Sequence, residues 1–450
     1  MIRYRYVATA LAGVAGVAFG PSDATAAGFA IKEQSPQALG SAFAGATAEA
    51  ADVTYMFFNP AALSRQSGNQ ASTSLSFIAP TSQPDNVSGQ TAGGTPITGG
   101  DGGSDIGEDA LVPALYGMAT ISERLKFGVG VNAPFGLETH YEDGWVGRYH
   151  ALNSELATVN INPALSYEPM DGIAVAAGIR AQYISAELTN AVDFGTIGQA
   201  SGIPFATPTQ NDGKADLEGD DWGLGFNLGV LVEPREGTRF GVSYRSEIEH
   251  ELQGDLQFSG GGAVLSTLQA NGAFTNRDVS AEVTTPDSLN LGVYHELTDR
   301  FAVMGEFQYT FWSDFQELVI DADSQTPPQR IVTEEKWDDV FFASLGGKYK
   351  ASDKLTLRTG IAFDQSPIPD ETRTPRITGE DRYWIALGAT YAPSNWFSLS
   401  AGYTHIFVRD STIGLDATPN PNDPDRFRGD LEADFNNHVD IATVSATLRF

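Results

Sequence analysis

Few side chains in this sequence are spaced to do covalent chemistry. The six histidines, His140, His150, His250, His295, His405 and His438, include no His-x-x-x-His pair, the spacing that sets two imidazoles on one helical face. His140, Glu142, Asp143 and His150 are near neighbours without the regular spacing of a metal site. No metal ligand is therefore assigned. Cysteine is absent, which removes thiolate ligands, disulfides and thiol nucleophiles together. There is no Gly-x-Ser-x-Gly elbow, and Gly223, Gly225 and Gly229 read as part of a strand with no helix after it, unlike a dinucleotide loop. The patterns yield no catalytic residue and no cofactor.

What remains is recognition. Arg180, Arg245 and Arg358 alternate onto the face that carries small polar residues, and a guanidinium matches a carboxylate bidentately. Interior acids such as Glu306, or backbone carbonyls, are the competing partners for these cations. A second set of candidates is greasy: Phe135, Leu137, Trp145, Val146 and Tyr149 cluster in one polar-flanked stretch and could line an exposed binding groove.

The elements that must position these residues are strands. From Ala71 onward apolar and polar residues alternate with period two. Phe301, Val303, Phe307, Tyr309 and Phe311 share one face, and Ala302, Glu306, Gln308 and Thr310 the other. Leu355, Leu357, Ile361 and Phe363 oppose Lys354, Thr356 and Arg358, and Phe397, Leu399, Ala401, Tyr403 and Phe407 oppose Ser398, Ser400, Gly402 and Thr404. The polar faces hold mostly Ser, Thr, Gly and Gln, and aromatics recur near strand ends. A secreted sandwich would carry more charge on one face and a second sheet on the other, so the pattern fits a membrane barrel.

Short turns at Ser122-Glu123-Arg124, 169–172, 234–237, Thr298-Asp299-Arg300, Ser352-Asp353-Lys354 and Pro393-Ser394-Asn395 alternate with long polar segments near 80–110, 134–155, 188–220, 251–280, 313–335, 365–380 and 410–437. These connections join an even set of strands, fourteen in all, with short turns on the periplasmic side. No later run approaches the roughly 18 apolar residues of a membrane helix.

The N-terminus is different. Arg3 and Arg5, an apolar run from Val7 to Phe19 and Ala24-Thr25-Ala26 form an export signal, so residues 1–26 read as a leader and Ala27 as the mature start. Residues 27–70 are rich in small side chains and hold two helix starts, Ser35-Pro36 and Asn59-Pro60, each with an N-cap residue before a proline. Helices this short need external packing, and the segment reads as a helical hatch inside the barrel of residues 71–450. The net charge of −30, from 57 acidic and 27 basic residues, repels nucleic acid. Asp423, Asp425, Asp430, Glu432 and Asp434 read as a solvated loop, with divalent-ion contact as the alternative.

Ala27-Gly28-Phe29, Asn59-Pro60-Ala61, Asn132-Ala133-Pro134-Phe135-Gly136, Trp145-Val146-Gly147-Arg148-Tyr149, the stretch from Arg358 to Asp364 and the terminal Phe450 all resemble the FadL-type family of outer-membrane transporters for long-chain fatty acids and other hydrophobic compounds. The resemblance implies an all-β fold in the Gram-negative outer membrane: a monomeric fourteen-stranded antiparallel transmembrane barrel with an N-terminal hatch. It implies passive capture of a hydrophobic solute outside and lateral release into membrane lipid. Phe29 and Ile31 are then expected in the ligand pocket. Pro134, after Gly128, Gly130 and Asn132, is expected to kink the third strand and open the wall, because proline cannot donate to the ladder. The break is looked for between the third and fourth strands, with the Asn59-Pro60-Ala61 corner facing it. Where the family's head-group cations are expected, this chain has Ser185 and Asp338, so neutral or aromatic hydrocarbons stand beside fatty acids as substrates. A barrel hydrolase and an unplugged porin or adhesin are the readings from other classes.

Overall fold

The computed structural model describes residues 28–322, 329–416 and 427–450. The expected leader, Ala27 and the loop acids Asp423 and Asp425 lie outside the described residues. Fourteen antiparallel strands close into a barrel. They are β1 Gln70–Gln90, β2 Ala110–Thr120, β3 in two segments, Leu125–Asn132 and Gly136–His140, β4 Asn153–Met170, β5 Ile173–Asp193 and β6 Asp212–Arg235. Four two-segment strands follow: β7 Thr238–Arg245 and Ile248–Gly260, β8 Arg277–Thr285 and Ser288–Glu296, β9 Phe301–Thr310 and Glu317–Ala322, and β10 Gln329–Glu334 and Val340–Lys350. The last are β11 Leu355–Asp364, β12 Arg382–Ser394, β13 Phe397–Val408 with Ser411–Leu415, and β14 Asp430–Arg449. The ladder between β1 and β14, from Gln70↔Arg449 to Gln90↔Asp430, closes the ring.

Alternation decides which way each side chain points. On β13, Leu399, Tyr403 and Phe407 are exposed to the lipid side, while Ser398, Ser400 and Thr404 are buried inside. All six short turns fall where turn chemistry placed them. The long loops are shorter than expected, because β1, β5, β6, β7 and β14 run on into segments read as loops. Above the bilayer both faces of a strand meet water or loops, so pairing continues without the alternation that lipid imposes. Two short loop helices, α2 Phe194–Ala200 and α3 Gly262–Ala270, pack on each other through Phe194, Ile197, Val264, Leu265 and Leu268.

Residues 28–69 lie within the ring. The segment holds helix α1 (Pro36–Leu39) and two 3₁₀ turns, Val53–Phe57 and Pro60–Arg65. Only two helix starts were legible; the middle turn begins at Asp52, whose carboxylate accepts the Thr54 N–H at 2.9 Å. Asn59 caps as expected, its Oδ1 accepting from Ala61 N. Ser35 does not: its hydroxyl donates to Gln37 Oε1. Ala42 and Phe43 hold φ of 49° and 59°, strained for residues with a Cβ, and the surrounding wall fixes them. Strand glycines let the segment lie against the wall. A Cβ on Gly241 would fall 2.0 Å from the Thr47 carbonyl oxygen, and one on Gly360 would fall 2.0 Å from that of Ser41.

Polar bonds then pin the segment. Glu49, fully buried, takes Arg358 Nη2 at 3.1 Å and Lys348 Nζ at 3.0 Å on one oxygen, and the Tyr55 hydroxyl at 2.6 Å on the other. Glu306 accepts both the amide and the hydroxyl of Thr47. Thr447 donates to Asp52 at 3.0 Å.

Candidate functional site

The wall is interrupted where the Pro134 reading placed a kink. β2 and β3 pair from Thr120↔Lys126 only as far as Leu115↔Val131, and their seam resumes beyond it as a single bridge between Gly107 and Thr139. The opening is therefore between β2 and β3, not between β3 and β4 as expected. On the β4 side the register slips from Asn132↔Asn160 to Gly136↔Ala157, three residues facing two, and Thr158 stitches the bulge by bonding both the amide and the carbonyl of Phe135. Such a bulge keeps that seam closed.

Backbone groups released from the ladder need partners. The N-terminal segment supplies them from inside: Ile31 N donates to Pro134 O at 2.7 Å, Gly136 N donates to Phe29 O at 2.9 Å, and Ala30 bridges Phe135. Phe29 to Ile31 thus takes part of the place that β2 vacates. The Asn59-Pro60-Ala61 corner does not face this kink. Asn59 Nδ2 donates to Thr47 O and to Val230 O of β6, so the corner sits against Gly229. Leu63 and Met56 cover Gly128, Tyr116 packs on Gly130, and Asn132 accepts from Asn160.

Above the kink Phe29 is boxed by aromatic rings, with centroids 4.8 Å from Trp312, 5.7 Å from Phe135, 5.7 Å from Trp337 and 6.2 Å from Phe315. Leu137 belongs to the same cluster. Gly28, at φ +63, passes so close to Trp337 and Trp312 that a side chain there would collide with both. The sequence reading missed Trp312, Phe315 and Trp337. One local signal existed: Phe311 and Trp312 are consecutive aromatics, which breaks the period-two pattern.

Two cavities lie near this box, and the inner one shares Phe135 and Trp312 with it. An inner one of about 80 Å³ is lined by Ile31, Pro134, Phe135, Trp312, Lys32 and Arg245 among others. An outer one of about 740 Å³ opens among the loops, with Leu217, Leu256, Phe258, Leu318 and Ile320 on its apolar wall and Tyr149, His150, Arg376 and Arg428 on a polar side. The expected exposed groove does not form from Trp145 and Val146. Both are buried in the loop cap, where Trp145 stacks on Tyr141 at 3.9 Å and donates to Ala151 O. Of that set, Tyr149 lines the outer cavity; its hydroxyl donates to Asp212, which also pairs with Arg148.

All three inward arginines do face inward. Arg358 is taken by Glu49. Arg180 donates to Ser246 O and Gln182 Oε1, and Arg245 donates to Phe57 O at 2.6 Å while lying 4.2 Å over the Phe57 ring. Arg245 borders the inner cavity together with Lys32, which pairs with Asp364 at 3.6 Å. Asp338 is a backbone donor to Pro367, and Ser185 faces Asp220 and Ala157 across its ladders. Among the described residues no three His, Asp or Glu side chains converge to hold a metal ion.

His150 gives the loop cap a pH dependence. Burial, then the charges of Arg428 and Arg376, hold its pKa at about 3 against an ordinary 6.5. Below about pH 6.5 the unfolded cap takes up a proton that the folded one refuses, so the cap loses stability progressively from there down to about pH 3. Amide protection factors in residues 141–152, taken relative to the intrinsic exchange rate at each pH, are expected to fall over that window, and His150→Gln to flatten the response; an unchanged response in the variant would refute this assignment.

Residues 17–450 match the sequence profile of the family described as outer membrane protein transport protein (OMPP1/FadL/TodX). The chain is 28% identical over 411 residues to the long-chain fatty acid transport protein of Escherichia coli K12, covering 87% of this chain and 90% of that one. Its fold is similar to the crystal structure of a Pseudomonas aeruginosa FadL homologue, with a TM-score of 0.86 at 24% identity over 94% of this chain and 100% of the other. The Ralstonia pickettii toluene transporter TbuX superposes with a TM-score of 0.66 at 17% identity, over 93% and 99% of the two chains.

Proposed function

We propose, from the premise that the chain belongs to the OMPP1/FadL/TodX family of outer membrane transport proteins, that it captures long-chain fatty acids at the cell surface and releases them sideways into the membrane. It is an outer-membrane β-barrel of a family that transports hydrophobic compounds. The observation that carries the lateral route is the unpaired seam between β2 and β3, bordered by the inner cavity and covered from inside by Phe29–Ile31. A greasy solute gains about 0.8 kcal/mol per CH₂ on leaving water for lipid. The pinned hatch offers no comparable path toward the periplasm.

The solute enters the outer cavity, displaces the Phe29 box, reaches the inner cavity and leaves past Pro134. Arg245, supported by Arg180 behind it, is the head-group anchor. Arg180 is a buried cation and Arg245 a half-buried one; their hydrogen bonds go to neutral acceptors, and a charge withdrawn from water calls for a counter-charge. The protein acts as a monomer, with its solute and outer-membrane lipid as partners, and no catalytic step is assigned.

A second reading is supported by the aromatic box: neutral or monoaromatic hydrocarbons would stack in it, and TbuX is named a toluene transporter. Solvent extraction of the purified protein followed by mass spectrometry separates the two. Fatty acid is the expected extract, lost from Arg245→Gln; neutral hydrocarbon alone, indifferent to that substitution, would transfer the assignment to the second reading.

A further inference from the structure

Four consecutive strands are cut at one level. Counted from the periplasmic turns, the unbroken lower segments are 8 residues long in β7, 9 in β8, 10 in β9 and 11 in β10. The steady increase is what a level cut across tilted strands gives. Above it the outer segments pair with one another, from Ile248↔Thr285 in β7–β8, through Ser280↔Asp321 in β8–β9, to Glu317↔Glu334 in β9–β10. They form a small four-stranded sheet.

One edge of this sheet hangs from the outer half of β6, which runs unbroken past the cut. That seam contains two glycine–glycine rungs, Gly213↔Gly260 and Gly219↔Gly254, which bring no side chains of their own to the pairing; the Phe194 ring lies over Gly213 at the outer end. At the opposite edge, Gln329–Glu334 pairs with no further strand among the described residues. It meets the loop 365–381, where the Thr372 hydroxyl donates to Glu335 O. The apolar inner face of the sheet, with Leu256, Phe258, Leu318 and Ile320, is one wall of the outer cavity.

We propose that the outer segments of β7 to β10 are a hinged flap, attached along the glycine seam with β6, whose movement couples loading of the outer cavity to opening of the aromatic box. This rests on the uptake reading above. Trp312 and Phe315 lie in the cut of β9 and Trp337 in that of β10, so the rings that hold Phe29 are mounted on the flap's lower border. Along that border there is no continuous ladder to break; local bonds such as Trp337 N to Phe315 O at 3.3 Å take its place. A solute entering the outer cavity pushes on the flap's inner face, and the swing carries the rings away from Phe29.

The protein has no native cysteine, which makes a disulfide test clean. A Glu335→Cys/Thr372→Cys pair ties the flap's far edge to the loop. A control pair, Glu282→Cys/Val319→Cys, joins opposed residues within the flap. Uptake of radiolabelled oleate by cells is expected to fall to background in the oxidised first pair, to return on reduction, and to be unaffected by the control. Full uptake with the first pair quantitatively oxidised, or equal loss with both pairs, overturns the flap. Heat-resistant migration in detergent gels confirms that each variant is folded. Absence of uptake by the parent protein would instead count against the transport assignment, so the two failures are distinguishable.

Discussion

Cysteines placed at Ala114 and Asn132 and joined by a short thiol-to-thiol linker are expected to reduce uptake of a hydrophobic solute to background. Leu115↔Val131 is the last rung of the β2–β3 ladder, and these two buried residues are the next position on each strand. The linker replaces the missing rungs and seals the seam. On the proposed route hydrophobic gain would drive the exit: a chain of about ten methylenes gains about 8 kcal/mol on moving from water to hydrocarbon. That gain is available at a wall opening and not in the polar lumen. A control linker at the intact rung Gly117↔Val129 should leave uptake unchanged. Sustained uptake by barrels shown to be fully linked at Ala114 and Asn132 would eliminate this exit.

The other large effect is expected at Glu49. One carboxylate binds two wall cations, Arg358 and Lys348, with none of its own surface exposed. Glu49→Gln keeps the volume and removes the charge, leaving the buried Arg358 and the partly buried Lys348 facing each other. Breaking a buried pair from one side costs about 3–5 kcal/mol, and here the cost falls on hatch docking as well as on the barrel. Protease sensitivity of residues 40–66 is expected to rise, and liposomes carrying the variant to swell in small sugars faster than liposomes carrying the parent. Lys348→Met in the same chain removes one of the two stranded charges and should recover part of the protection. A hatch that stays protected in Glu49→Gln would show that the apolar packing around Phe43 and Tyr55 holds it without the ion pairs.

These two sites differ in how far they could be read in advance. Pro134 announces itself, because a proline after Gly128 and Gly130 cannot complete a ladder, but which neighbour parts from β3 depends on where Thr158 and Ile31 come to lie. Glu49 carries no local sign at all. Its partners are some three hundred residues away in sequence, and they meet it through the register of β10 and β11 against the hatch.

By itself the sequence determined the barrel, its turns and the inward direction of Arg180, Arg245 and Arg358, because lipid outside and a polar lumen inside impose a two-residue period on every crossing. It determined that Asn59 starts a helical turn, since a cap and a following proline act within a few residues. Only the tertiary structure decided that Trp312 and Trp337 enclose Phe29, that Trp145 is buried in the loop cap, that Asn59 faces Val230, and that residues 29–31 fill the gap beside β3. Those are contacts between distant segments. They depend on strand register and on how the hatch lies in the ring, which no local pattern records.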